Sequence, residues 1–155
     1  MNLGDPLHST KPFRARNSGG GSSSSTSPEV WIVKHFFPRH LVIQAKVTNQ
    51  TTLSDKTNRT LSDIAFVVAE SSEDAIQPLM QVPISVLPSK MTGSTWCVLA
   101  ATPARMEGST AQLTCELRYT VGQGDPSMML PQSGMMGRTY VEELQDLEVH
   151  ASHFS

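Results

Sequence analysis

Histidine and cysteine are the residues of this 155-residue chain best suited to chemistry, and there are five of the first and two of the second. His35 and His40 flank a Phe-Phe-Pro turn, and His150 and His153 lie near the C-terminus. A zinc site needs three or four converging ligands, and neither pair has a cysteine or carboxylate cluster beside it, so solvated or turn-packing imidazoles account for both. Cys115 falls on the apolar parity of its strand, where a thiol behaves as a small hydrophobe and not as a thiolate. Cys97 sits on the opposite parity to Trp96 and is the candidate for a reactive thiol. The acids Glu142, Glu143, Asp146 and Glu148 form a patch that reads better as a solvated face than as a general acid–base pair. The run GGGSSSS lacks the lysine and the strand–helix setting of a phosphate loop. The chain is therefore expected not to be an enzyme, to need no cofactor and to hold no catalytic or metal site. No binding residue is identified.

Composition points the same way. The formal net charge is −2, and no two Lys/Arg residues are adjacent, whereas a nucleic-acid binder carries a basic stripe. The apolar runs fall far short of the ~20 residues that cross a bilayer. Residues 1–28 contain no apolar stretch of the kind that opens a secretory signal. Cys97 and Cys115 are two cysteines, not a disulfide framework, which fits a reducing compartment, although a bridge between neighbouring strands is conceivable. Two glycosylation triplets, Asn49-Gln50-Thr51 and Asn58-Arg59-Thr60, would matter only in a secreted protein. The expectation is a cytoplasmic protein.

The elements that position these residues are short strands. Residues 1–28 end in SGGGSSSSTSP, which cannot bury apolar surface, and residues 1–29 are read as a flexible linker. From Val30 the texture turns β-branched and aromatic. Leu41, Ile43, Ala45 and Val47 alternate with polar neighbours, the period of a strand with one face in a core. Ile64, Phe66 and Val68 repeat the pattern, as do Leu113, Cys115, Leu117, Tyr119 and Val121. Ala75–Leu87, with Pro78 and Pro83, is predicted to be one edge strand, because proline cannot donate to an interior ladder. In Ser94–Ala101 the inward set is predicted to be Trp96, Val98 and Ala100. A Gly- and Met-rich loop spans Gly122–Arg138, and Met128, Met129, Met135 and Met136 in it are either disordered or an adaptable apolar surface. Tyr140–Val149 fits a helical turn or a strand, and a terminal strand is favoured. The sum is an all-β, immunoglobulin-like antiparallel sandwich over residues 30–150, with a tail at 151–155.

Three collinear blocks carry a resemblance. The first is Lys34, His35, Phe37, Pro38, Val42, Gln44, Thr48-Asn49, Leu53, Asp55, Leu61 and Ile64. The second runs Pro83, Leu87-Pro88, Gly93, Ser94, Trp96, Leu99-Ala100, Ala111–Val121 and Gly124-Asp125-Pro126. The third is Tyr140–Val149. Together they resemble the appendage ("ear") domain of the gamma subunit of coatomer, the COPI vesicle coat. The resemblance implies a non-catalytic structural and adaptor component in Golgi-to-ER and intra-Golgi transport, peripheral on Golgi membranes and COPI-coated vesicles. It implies other coatomer subunits and coat accessory proteins as partners. An Arf GTPase-activating protein would be reached through a platform lobe expected beyond Val149. Neither nucleic acid nor direct membrane insertion is implied. Ser127–Arg138 departs from the family pattern in being Met- and Gly-rich instead of acidic. Two rivals remain: a clathrin-adaptor-type appendage that binds peptide motifs along a sheet edge, and a secreted immunoglobulin-like adhesion module.

Overall fold

The computed structural model describes residues 3–16, 28–50, 60–72, 74–106, 110–122 and 138–155. Two antiparallel sheets lie face to face. The first has strand order β1 (His8–Ser9), β3 (Glu29–Phe37), β4 (His40–Thr48), β8 (Thr92–Ala101), β6 (Ile76–Val82), with β2 (Phe13–Arg14) also on β3. The second has order β10 (Arg138–His150), β9 (Thr110–Val121), β5 (Leu61–Ser71), β7 (Ile84–Leu87). Short 3-10 turns follow β8 at Pro103–Arg105 and β10 at Ala151–Phe154.

Period-two patterning builds the core. Leu41, Ile43, Ala45 and Val47 of β4 are buried, and so are Ile64, Phe66 and Val68 of β5 and Leu113, Cys115, Leu117 and Tyr119 of β9. Leu144, Leu147 and Val149 bring β10 into the same core. Alternation of this kind gives each sheet one buried face, and removing that apolar area from water is the main stabilising term.

Four expectations are corrected. In β8 the core-facing set is Cys97, Leu99 and Ala101. Val98 packs on the outer face of the first sheet with Phe37 and Val42, and Trp96 and Leu3 lie against them. Both parities of this strand are apolar because both of its faces are covered. Ala75–Leu87 is two strands in two sheets: β6 pairs with β8, β7 pairs with β5, and Pro83 stands between them. Proline breaks the ladder there, and the Thr95 hydroxyl donates to the Val82 carbonyl at 2.9 Å just before the crossing.

The third correction concerns residues 1–29, read as a linker. Within them β1 and β2 pair with β3, and Phe13 and Ala15 pack against the core. The Leu7 N–H donates to the Phe36 carbonyl at 2.7 Å and the Ala15 N–H to the Val30 carbonyl at 2.9 Å. Open backbone groups on the edge of β3 capture the segment even though few of its side chains are apolar. The fourth concerns the tail at 151–155. It folds back as a 3-10 turn whose Phe154 is buried edge-on against Phe36, with ring centroids 5.4 Å apart.

Candidate interaction surface

Burial takes the two thiols out of chemistry. Cys97 and Cys115 are free and buried. Desolvation pushes the Cys97 thiol up to about 11 and, with Cys97 itself as a second cause, Cys115 up to about 12. Neither is a nucleophile near neutral pH, because the thiolate is the reactive form. The reactivity considered for Cys97 is thus corrected: the parity of β8 is the reverse of the one expected, and the thiol points into the core.

Four of the five histidines, His8, His35, His150 and His153, are bound into hydrogen-bond networks. His35 Nδ1 lies 2.7 Å from the Ser9 hydroxyl and its Nε2 3.1 Å from Gln44 Oε1, with the ring stacked on Trp96 at 6.0 Å. His8 stacks on Phe36 at 4.7 Å and reaches the His153 carbonyl through Nε2 at 2.8 Å. The His150 N–H donates to His153 Nδ1 at 3.1 Å. Desolvation, with Lys34, His150 and His8 nearby, lowers the His153 pKa. Among the described residues no group of three or more His, Cys, Asp or Glu is arranged to hold a metal ion.

The acidic patch is spread along β10. Glu143, Asp146 and Glu148 are exposed, and Glu142 accepts from the Tyr119 hydroxyl at 2.8 Å. Desolvation and that bond to a carboxylate both raise the Tyr119 pKa. A shallow cleft of about 150 Å³ beside β5 and β6 is lined by Glu70, Ser71, Asp74, Ile76, Gln77 and Pro78, among others. It holds no histidine, cysteine or lysine to activate the serine.

Asn49, the acceptor of the first glycosylation triplet, has no surface exposure. Its side-chain amide donates to the Leu87 carbonyl at 2.9 Å, its N–H donates to Met91 at 3.0 Å, and its carbonyl accepts from Lys90 at 2.7 Å. The nitrogen that would carry a glycan is inside the fold. That removes one of the supports for a secreted adhesion module. Asn58 and the four methionines of the Gly122–Arg138 loop lie outside the described residues.

What the sandwich presents outward is apolar edge. β6 and β7 end the two sheets on one side, and Leu79, Val82 and Val86 there are 50%, 44% and 59% exposed. Met80 of β6 and Met91, just before β8, are exposed as well. Exposed apolar side chains on an open sheet edge offer contact area and carry no group that does acid–base or nucleophilic chemistry. Sequence reading missed it because alternation gives no signal in β6, where Gln77 through Val82 are all exposed.

Residues 2–150 match the family model described as the coatomer gamma subunit appendage platform subdomain. Coatomer subunit gamma-2 of Bos taurus is 30% identical over 152 residues, which is 98% of this chain and 16% of that protein. The Homo sapiens protein of the same name is 27% identical over 152 residues, with the same two shares. The chain thus spans about 16% of the length of these curated relatives. Among solved structures, the GAE domain of yeast GGA1 superposes with a TM-score of 0.48 at 10% identity, over 90% of this chain and 97% of that one. The matched description puts the platform subdomain on the residues that fold here as the sandwich.

Proposed function

We propose, because this chain belongs to the coatomer gamma subunit appendage family, that it serves as a contact module of the COPI coat in Golgi-to-ER and intra-Golgi transport. The family is a non-catalytic coat family. The buried thiols, the hydrogen-bonded histidines and the spread acids agree with that. The observation that carries the reading is the family match over residues 2–150. Its partners are the other coatomer subunits and coat accessory proteins, among them an Arf GTPase-activating protein. Its place is the cytoplasmic face of Golgi membranes and coated vesicles, held peripherally through the coat. No helix among the described residues is long and apolar enough to cross a membrane.

A rigid sandwich suits this role. Two sheets locked by a continuous core hold an edge surface at a fixed orientation, and carrying it on a coat raises the local concentration of whatever it binds. An antibody to this chain should co-precipitate other coatomer subunits and label Golgi membranes. Failure of both in cells that express the protein would sink the proposal. The purified chain alone should not retain a purified Arf GTPase-activating protein on a column, because the resemblance assigns that contact to a platform lobe beyond Val149. If it does, the contact lies on this sandwich and the coat assignment stands.

A further inference from the structure

The seam between β3 and β10 is closed by the chain's own residues 3–16, and the way they are held marks them as a ligand. β3 pairs with β4 along its whole length, Glu29 to Phe37. The N-terminal segment pairs with the other edge of β3 only at His8–Ser9 and Phe13–Arg14. Between those two points lie Lys11 and Pro12, and proline has no N–H to give. The anchors are specific. Thr10 donates its N–H to the Lys34 carbonyl at 2.9 Å, and its hydroxyl accepts from the Lys34 N–H at 2.9 Å. The Phe13 ring lies under the Lys34 ammonium at 5.7 Å, and Ala15 fits against the core. Arg16 reaches the other sheet: its N–H donates to Gln145 Oε1 at 3.0 Å and its carbonyl accepts from the Gln145 N–H at 2.7 Å. Gln145 is free to do so because the β10–β9 register shifts between Leu144 and Leu147.

The groove also selects for charge. Lys11, Arg14 and Arg16 of the segment are exposed. Opposite Arg14 stands Glu29 at 3.8 Å, and Glu143, Asp146 and Glu148 lie on the exposed face of β10. Most of the segment's side chains are exposed, with only Leu3, Thr10, Phe13 and Ala15 partly buried, while the β3 residues beneath it, Val30, Ile32 and Phe36, are fully in the core. A strand laddered to β3 at two residues in each of two places, with most of its side chains in solvent, is an exchangeable occupant of that apolar edge.

We infer that the β3–β10 seam is a docking groove for an extended basic peptide of a partner protein, and that residues 3–16 occupy it in cis until such a peptide displaces them. The peptide it fits carries Ser or Thr, an aromatic residue three positions later and a small residue two positions after that, with Lys or Arg interspersed. Recognition is by strand addition, in which main-chain bonds give affinity and side-chain pockets give specificity. This site is on the opposite side of the sandwich from the β6–β7 strip and does not depend on the coat assignment.

A fluorescent synthetic peptide with the sequence of residues 3–16 tests this on the full chain by anisotropy. The cis segment taxes binding by the fraction of time it fills the groove. Weakening it by Phe13→Ser should therefore tighten the labelled peptide by about tenfold or more. The same peptide carrying Phe13→Ser should bind neither chain, and added salt should weaken the binding. Hydrogen exchange should place the new protection on Val30–Phe36. A second variant, Lys11→Glu/Arg14→Glu/Arg16→Glu, changes only exposed side chains and should give a gain in the same direction. The proposal is overturned if neither variant gains affinity while circular dichroism shows the charge variant folded. It is equally overturned if protection appears on β6–β7, or if the chain instead exchanges segments with a second copy and elutes as a dimer.

Discussion

Asn49 is the buried polar side chain that ties one sheet to the other. It sits just past the end of β4 in the first sheet, and its amide holds the Leu87 carbonyl at the end of β7 in the second. An unmade bond to a buried carbonyl costs its full desolvation, so Asn49→Ala should destabilise by about 1–3 kcal/mol. Urea denaturation would show it, and a change near zero would mean water can replace the amide. Its role was invisible in sequence, where Asn49-Gln50-Thr51 read only as a glycosylation triplet in a polar run. The cysteines give a second prediction at this scale. With thiols raised to about 11 and about 12 by burial, neither should react with a disulfide reagent near pH 8 until the chain is unfolded. Prompt reaction of Cys97 in the native protein would put it outside the core.

At the scale of elements, legibility depended on how many faces of a strand are covered. β5 and β9 each have one wet face, and β4 has one that is covered only at Val42, so alternation gave both their existence and their inward sets. Leu117 is fully buried in β9. Leu117→Ala should cost about 2–5 kcal/mol, the range for large-to-small changes in packed cores, and a thermal melt reads it directly. An effect within the ±0.5 kcal/mol typical of surface positions would mean the side chain is not in the core. β8 was read with its faces exchanged because Trp96, Val98 and Ala100 are as apolar as Cys97, Leu99 and Ala101. Only the outer cluster of Phe37, Val42 and Val98 distinguishes them, and that is a tertiary fact. β1 and β2, of two residues each, are too short to show any period. They exist because β3 has an edge to fill, and the same reason hid the β3–β10 seam.

For the whole molecule, the contact of the N-terminal segment with the C-terminal turn should depend on pH. His153 Nδ1 accepts from the His150 N–H, so it must be unprotonated, and burial holds its folded value below the ordinary one. The unfolded imidazole takes up its proton near 6.5. Stability from neutral His153 is therefore present above that value and lost as pH falls through the lower folded value. His8 and His150 pack edge-on against the His153 ring and Lys34 adds positive charge, while Glu148 opposes them. Protection factors of the Leu7 and Thr10 amides, corrected for intrinsic exchange, should drop as pH falls below the ordinary imidazole value of about 6.5. His153→Gln should flatten that dependence; an unchanged slope would show that His153 does not hold the turn. The closing of the seam also has a consequence for the order of synthesis. Arg16 and Gln145, which bond each other, are 129 residues apart in the chain. At roughly 5–20 residues per second, the ribosome releases Gln145 some 6–26 s after Arg16. For that interval the Arg16 segment has no second sheet to grip and the edge of β3 has no settled neighbour. A nascent chain would then be open at that edge to chaperones, or to a strand of another nascent copy on the same messenger.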